Sequence, residues 1–221
     1  MFTDRRDAGR QLAKVLRAHD APLEPGRRAV VLALPRGGVV VAGEVARALA
    51  APLDLLFVRK IGAPHQPELA VAAVADGPQP HTVINTRILE AVGLDEAWVR
   101  RRAETEFEEI ERRRALYLRD RDRPSLDGAV AVVVDDGIAT GATTKVALEA
   151  VRAAGPAAIV LAVPVAPPET LAEMEGLCDA VVCLSAPSDF RAIGQFYEDF
   201  HQISDDEVIA VLDAANRPGG A

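Results

Sequence analysis

Apolar residues along this chain gather in short runs, one of them interrupted by Asp54, instead of alternating with polar ones. Ala29–Leu34, Leu53–Val58, Val132–Val134, Ala157–Val163 and Ala180–Leu184 are five such runs. A strand buried on both faces reads this way, and such strands belong to parallel sheets covered by helices. The stretches between them supply the helices: Val39–Ala51, Thr143–Ala154 with Gly155 as its stop, Pro167–Glu175, and finally Asp205–Ala215. The pattern predicts an α/β fold, a five-stranded parallel sheet flanked by helices and joined by right-handed crossovers.

Other segments follow different periods. Met1–His19 reads as an amphipathic helix capped by Thr3 or Asp4, with Leu12, Val15 and Leu16 on one face. Asp20–Arg27, with two prolines and a glycine, reads as a loop. Leu69–Ala75 and Thr82–Asn85 predict a β-ribbon that turns at Asp76-Gly77-Pro78. Asp95–Arg119 is long and highly charged, with apolar positions at Trp98, Phe107, Ile110, Leu116 and Tyr117. It predicts a surface helix laced with Glu/Arg pairs, whose acids from Glu104 to Glu111 form a solvated face and whose narrow apolar stripe suits a dimer contact. Arg217–Ala221 is expected to be disordered.

Composition narrows the class. The 221 residues are enough for one sizeable core, and 4% aromatics against 49% hydrophobic residues makes that core aliphatic. A net charge of −8 argues against nucleic acid as a partner, because nucleic-acid binders carry basic surfaces. Cys178 and Cys183 flank an apolar run and read as small buried residues in a reducing compartment. No apolar run reaches membrane-spanning length and no signal peptide opens the chain, so no membrane partner and a cytoplasmic location are expected.

Two strand–loop–helix junctions carry candidate chemistry. In Val132–Thr144 the strand ends on Asp135-Asp136, and Gly137-Ile138-Ala139-Thr140-Gly141-Ala142-Thr143 leads into a helix. The glycines allow a tight turn, the first helical N–H groups have no partner within the helix, and the helix dipole adds positive potential, which suits a phosphate. The carboxylates would repel that phosphate and must face something else, such as a sugar diol or a divalent cation. The loop lacks the Gly-Lys-Ser/Thr ending of a P-loop and the Gly-x-Gly-x-x-Gly of a dinucleotide fingerprint. At the second junction, Pro35-Arg36-Gly37-Gly38 follows the first run and opens a helix; Arg36 offers a planar fork of donors to phosphate oxygens.

The stretch Val132–Thr144 resembles the phosphoribosyl diphosphate signature of the type I phosphoribosyltransferases: an apolar strand, two acids, and a loop closing on Thr-Gly-x-Thr. The resemblance implies one domain over residues 1–221, with a core of about 29–184 and a C-terminal hood with its helix over about 187–215. It implies transfer of a 5-phosphoribosyl group from phosphoribosyl diphosphate to a nucleobase-like nitrogenous acceptor, with release of pyrophosphate and use of Mg2+; the alternative is a catalytically silent binder of the same ligand. By the same resemblance, residues 137–143 take the 5-phosphate, and Asp135 and Asp136 take the ribose hydroxyls and, indirectly, the metal. Arg36, Gly37 and Gly38 take the pyrophosphate, with a cis peptide expected at Arg36–Gly37. A mobile loop over Ile61–Glu68 is expected to close with Arg59 and Lys60 reaching the diphosphate, against the plainer reading of an exposed hairpin. Phe190, Phe196 or Tyr197 is expected at the acceptor, or else in an aromatic mini-core. In the resembled family, members that use 6-oxopurines commonly carry Asp where this chain has Ala139, and adenine- and orotate-using members lack it; hypoxanthine or guanine is therefore the less expected acceptor, unless Glu68 substitutes in handling the acceptor proton. A homodimer is the expected assembly.

Overall fold

The computed structural model describes residues 1–18, 22–23, 26–77, 80–119 and 121–216. The predicted end of the first helix at His19, much of the Asp20–Arg27 loop, the turn residue Pro78 and the Arg217–Ala221 tail lie outside the described residues. In chain order the elements are α1 (Arg5–Arg17), β1 (Ala29–Ala33), α2 (Gly37–Leu49), β2 (Leu53–Leu55), β3 (Val58–Ala63), β4 (Gln66–Ala75), β5 (His81–Ile84), α3 (Thr86–Ala91), α4 (Glu96–Leu118), β6 (Val130–Val134), α5 (Ala142–Ala153), β7 (Ala158–Val165), α6 (Pro168–Met174), β8 (Ala180–Ser185) and α7 (Asp205–Ala215).

The five apolar runs form one parallel sheet in the order β2-β1-β6-β7-β8. Alternate residues of each strand feed opposite cores, as the strand period requires. Val31, Ala33, Val130, Val132 and Val134 face the core built with α1, α2 and α7, whereas Val30, Leu32, Ala131 and Val133 face the core with Ala147, Leu148 and Val151 of α5. The strand order reverses between β1 and β6. In an open α/β sheet that reversal leaves a crevice beyond the carboxyl ends of the two strands. Both candidate loops, 35–38 and 135–141, start there.

The predicted strand Leu53–Val58 is two strands. β2 stops at Leu55, and Val58 starts β3 of a separate antiparallel sheet, β3-β4-β5. The break is held by Asp76, whose carboxylate accepts the Phe57 N–H at 2.6 Å while its own N–H donates to the Phe57 carbonyl at 2.9 Å. Arg59 and Lys60 therefore sit in a strand. The expected mobile loop Ile61–Glu68 is the upper part of a paired hairpin, with Ala63 opposite Gln66 and the turn at Pro64–His65. The ribbon of β4 with β5 forms as predicted, and α3, capped by Asn85, was not anticipated. The charged helix forms as α4, started by the Asp95 cap. Val99, Ala103, Ile110, Tyr117 and Leu118 are buried in it, but Leu116 is exposed. In α1, Leu12 and Leu16 are fully buried while Val15 turns outward.

Arg114 of α4 fastens the two sheets together. Its guanidinium donates to both Asp54 carboxylate oxygens at 2.8 Å and to Asp76 Oδ2 at 3.1 Å. Burial pushes the Asp76 carboxyl up, against the pull of Arg123 and Arg114. The segment Phe2–Arg17 belongs to the packing too. α1 lies along α2, and Phe2 exchanges backbone hydrogen bonds with Phe196 and Glu198 near the C-terminal end. No helix among the described residues is long and apolar enough to cross a membrane.

Candidate active site

β6 is five fully buried residues, and it delivers Asp135 and Asp136 to the crevice. The loop that follows leaves Ala139, Thr140 and Ala142 exposed and Thr143 half-buried. Its underside is braced: the Ile138 N–H donates to the Val165 carbonyl at 2.9 Å, and Thr170 Oγ1 donates to the Ala139 carbonyl at 2.8 Å. Gly141 has φ +72, and a Cβ there would meet Met174 Cε at 2.9 Å, so only glycine fits the turn into α5. The start of α5 has no side-chain cap, and neither has the start of α2 at Arg36. α6 is uncapped as well, whereas α1, α3, α4 and α7 are capped by Asp4, Asn85, Asp95 and Ser204. Two helix N-termini with their donors left uncapped by side chains thus face the crevice, a favourable arrangement for anions.

The other wall is the segment 35–38. A cis peptide is present one bond earlier than expected, at Pro35–Arg36. A cavity of about 290 Å³ opens between this segment and the acidic loop; Arg36, Arg59, Arg113, Tyr117, Asp135 and Thr143 are among its lining residues. Arg36 lies 3.5 Å from Asp205, which also accepts the Tyr117 hydroxyl at 2.7 Å. Burial and that hydrogen bond push the Tyr117 hydroxyl up to about 12, so it remains a donor at neutral pH. Arg113 and Tyr117 come from α4, and their approach to the cavity had no signal in the local sequence. Arg59 reaches the cavity from β3 and pairs with Glu106. Lys60 and Glu68 are exposed and lie outside the lining of this cavity.

The adjacent acids are in different surroundings. Asp135 lines the cavity and accepts the Asp136 N–H at 2.8 Å. Asp136 is buried and accepts the Arg5 Nε–H at 2.7 Å. Its carboxylate lies so close to Gly37 that a Cβ there would come within 1.9 Å of Oδ2. Burial pushes both carboxyls up. Asp135 is pushed furthest, with the Asp136 charge adding to burial, whereas Arg5 opposes the rise at Asp136.

The aromatic residues near the C-terminus form a packed group. Tyr197 is buried, 5.3 Å from the Phe2 ring, and its hydroxyl donates to the Asp136 carbonyl at 2.5 Å. Phe190 and Phe196 are half-buried and stacked on each other at 5.5 Å. Cys178 and Cys183 are only partly buried and free, with their thiols pushed up by burial.

Comparison with known proteins decides the family. A family model described as "Phosphoribosyl transferase domain" matches residues 5–201. The chain belongs to the type I phosphoribosyltransferase family. It is 50% identical over 218 residues to the protein named "Putative phosphoribosyl transferase Rv0571c" from Mycobacterium tuberculosis, and equally to its counterpart MT0597 in another strain. Those matches cover 98% of this chain but 47% of each relative, so the chain spans about half the length of the curated relatives it matches. Among solved structures, TT1426 from Thermus thermophilus is similar at a TM-score of 0.79 and 43% identity, covering 96% of this chain and 97% of that one. The match spans the stretch 132–144, and the five-stranded parallel sheet is the fold of a family member.

Proposed function

We propose that this phosphoribosyltransferase-family chain binds phosphoribosyl diphosphate with Mg2+ in the crevice between β1 and β6, transfers the 5-phosphoribosyl group to a nitrogenous base, and releases pyrophosphate. One observation carries the reading. Asp135, the start of α5 and Arg36 open onto a single cavity lined by one acid, Asp135, and three arginines, Arg36, Arg59 and Arg113, each of which also pairs with an acid outside that lining. A sugar with a phosphate at one end and a diphosphate at the other matches that charge pattern. The 5-phosphate sits on the N–H groups and hydroxyls of residues 137–143. Asp135 takes ribose hydroxyls, and the 36–38 segment takes the diphosphate.

Among the described residues no group of three or more His, Cys, Asp or Glu side chains could hold a metal. Mg2+ needs no such group, because it binds through one or two carboxylates plus substrate phosphates and water. Asp135 is the carboxylate on the cavity and fits that role. When bound, Mg2+ neutralises the charge of the departing diphosphate. The chain's own contribution is electrostatic: prepositioned arginines and helix N-termini hold the leaving group, and Asp135 lies beside the sugar where positive charge develops.

Ala139 supplies no carboxylate at the position where 6-oxopurine-using members carry one, and Glu68 is exposed on β4 away from the cavity lining. An acceptor that needs no such carboxylate is favoured. The catalytically silent reading draws support from the hairpin over 58–75, which is hydrogen-bonded and packs on α4 and α5 instead of forming a free loop. A cytoplasmic homodimer completes the proposal.

The test is pyrophosphate release from phosphoribosyl diphosphate and Mg2+ over a panel of bases. Release with a base supports transfer and names the acceptor. Binding of the diphosphate sugar without release with any base supports the silent reading. No binding sinks both.

A further inference from the structure

Arg5 lies far from the signature in sequence, yet it touches three parts of the site. Its guanidinium is buried, with 7% of the side chain exposed. Nε donates to Asp136 Oδ2 at 2.7 Å, and Nη1 donates to the His201 carbonyl at 2.9 Å. The same plane covers the Phe200 ring at 3.8 Å, and the space a Gly37 Cβ would fill is 3.1 Å from Nε. The planar fork meets the second acid of the signature, the diphosphate-side segment and the C-terminal aromatic group at once, which a lysine ammonium could not do.

We propose that Arg5 is a positioning residue that removes Asp136 from the ligand's reach. It neutralises that carboxylate and makes it a strut between the 36–38 segment and the residues around His201. Asp135 is then the single signature carboxylate that meets the ligand. The reason for the arrangement is electrostatic. The ligand is an anion, and two free carboxylates one residue apart would both repel its phosphates; pairing one with a buried cation cancels half of that repulsion. The backbone of Asp136 is fixed from the other side by the Tyr197 hydroxyl at 2.5 Å. This inference rests on the proposed phosphoribosyl diphosphate site for its ligand arm and on stability alone for its structural arm.

The experiment uses the full chain and measures affinity for phosphoribosyl diphosphate with Mg2+ by calorimetry, alongside thermal midpoints without ligand. Asp135→Asn is expected to weaken binding at least tenfold without lowering the midpoint. Asp136→Asn is expected to lower the midpoint by several degrees, because it leaves Arg5 buried without its anion, and to strengthen binding of the anionic ligand on the order of tenfold, because the Arg5 charge is then uncompensated. Arg5→Met alone is expected to weaken binding on the order of tenfold, because it leaves the Asp136 charge uncompensated near an anionic ligand. The double variant, Arg5→Met with Asp136→Asn, is expected to recover affinity to within threefold of wild type. Arg5→Lys is expected to rescue only part of the midpoint. A merely structural Arg5 predicts the opposite for the double variant, binding no tighter than Arg5→Met, and that result would overturn the inference. So would an Asp136→Asn variant that keeps its midpoint but binds as poorly as Asp135→Asn. If the wild type itself does not bind, the proposed function falls, and the stability cycle still decides the pairing. Midpoint losses of Arg5→Met and Asp136→Asn that are strongly non-additive support it, and losses that simply sum overturn it.

Discussion

Replacing Arg114 by Met tests how the site is held in register. This single guanidinium donates to both oxygens of Asp54, to Asp76 Oδ2 and, at 3.2 Å, to the Leu55 carbonyl. Both aspartate side chains are 4% exposed. Met fills much of the same volume, so the loss is mainly electrostatic. Asp54 is left buried without its bidentate partner, while Asp76 keeps Arg123 at 3.0 Å and the Phe57 N–H. Removing one member of a buried ion pair costs about 3–5 kcal/mol, a large share of the roughly 5–15 kcal/mol that stabilises a domain. At about 2–4 °C per kcal/mol for a chain of this length, the thermal midpoint is expected to fall by roughly 6–20 °C at neutral pH. The penalty is expected to shrink toward acid pH, where the orphaned carboxyls take up protons. Arg112 on the same helix is the control. It holds Glu109 at about 2 together with Arg113, but that cluster is solvent-exposed, and Arg112→Ala is expected to leave the midpoint nearly unchanged. Calorimetric melts of both variants at pH 7.5 and 4.5 make the comparison. An Arg114→Met midpoint that falls no further than that of Arg112→Ala would refute the claim that this buried network fastens α4 to the two sheets.

Three further outcomes are expected. Asp135→Asn should raise the stability of the unliganded protein at neutral pH. A carboxyl pushed above its usual range in the fold destabilises the folded state above that raised pKa, so the gain should vanish as pH falls toward 4; a gain independent of pH across paired melts contradicts this. Gly37→Ala places a Cβ within 1.9 Å of the Asp136 carboxylate and should cost about 1–3 kcal/mol, read as a lower urea midpoint together with lost protection by phosphoribosyl diphosphate. His201, bridging Asp199 and Glu207 at 2.9 and 3.0 Å, has its imidazole pushed up by those carboxylates, Glu207 foremost. Its contribution to stability should be fully present below about 6.5 and lost as pH rises through the folded-state value; an NMR titration placing His201 at or below 6.5 would contradict the bridge.

The strand-forming runs, their parallel sheet and the glycine turn from β6 into α5 were legible because their causes are local. An unbroken apolar run between helices has few solutions other than a doubly covered strand, and Gly-Ala-Thr-Thr after two acids fixes its turn within a few residues. Asp4, one of the two caps read for the first helix, marks its start because a cap is satisfied by the next turn of the same chain. The pairing of Leu69–Ala75 with Thr82–Asn85 was legible for the same reason.

What the tertiary structure alone decided involves partners distant in sequence. Periodicity could not split Leu53–Val58, because the break is made by Asp76 from the far end of the hairpin. It could not divide Asp135 from Asp136, which look equivalent as a pair. Their difference comes from Arg5, 131 positions away, and from Tyr197, 61 positions away. Nor could it bring Arg113 and Tyr117 to the cavity, since on α4 they read as one more charge and one more apolar position. A local pattern determines which backbone conformation a segment prefers; which side chain neutralises a buried charge is set by the packing of whole elements, and in this protein that packing places the two adjacent acids in different surroundings.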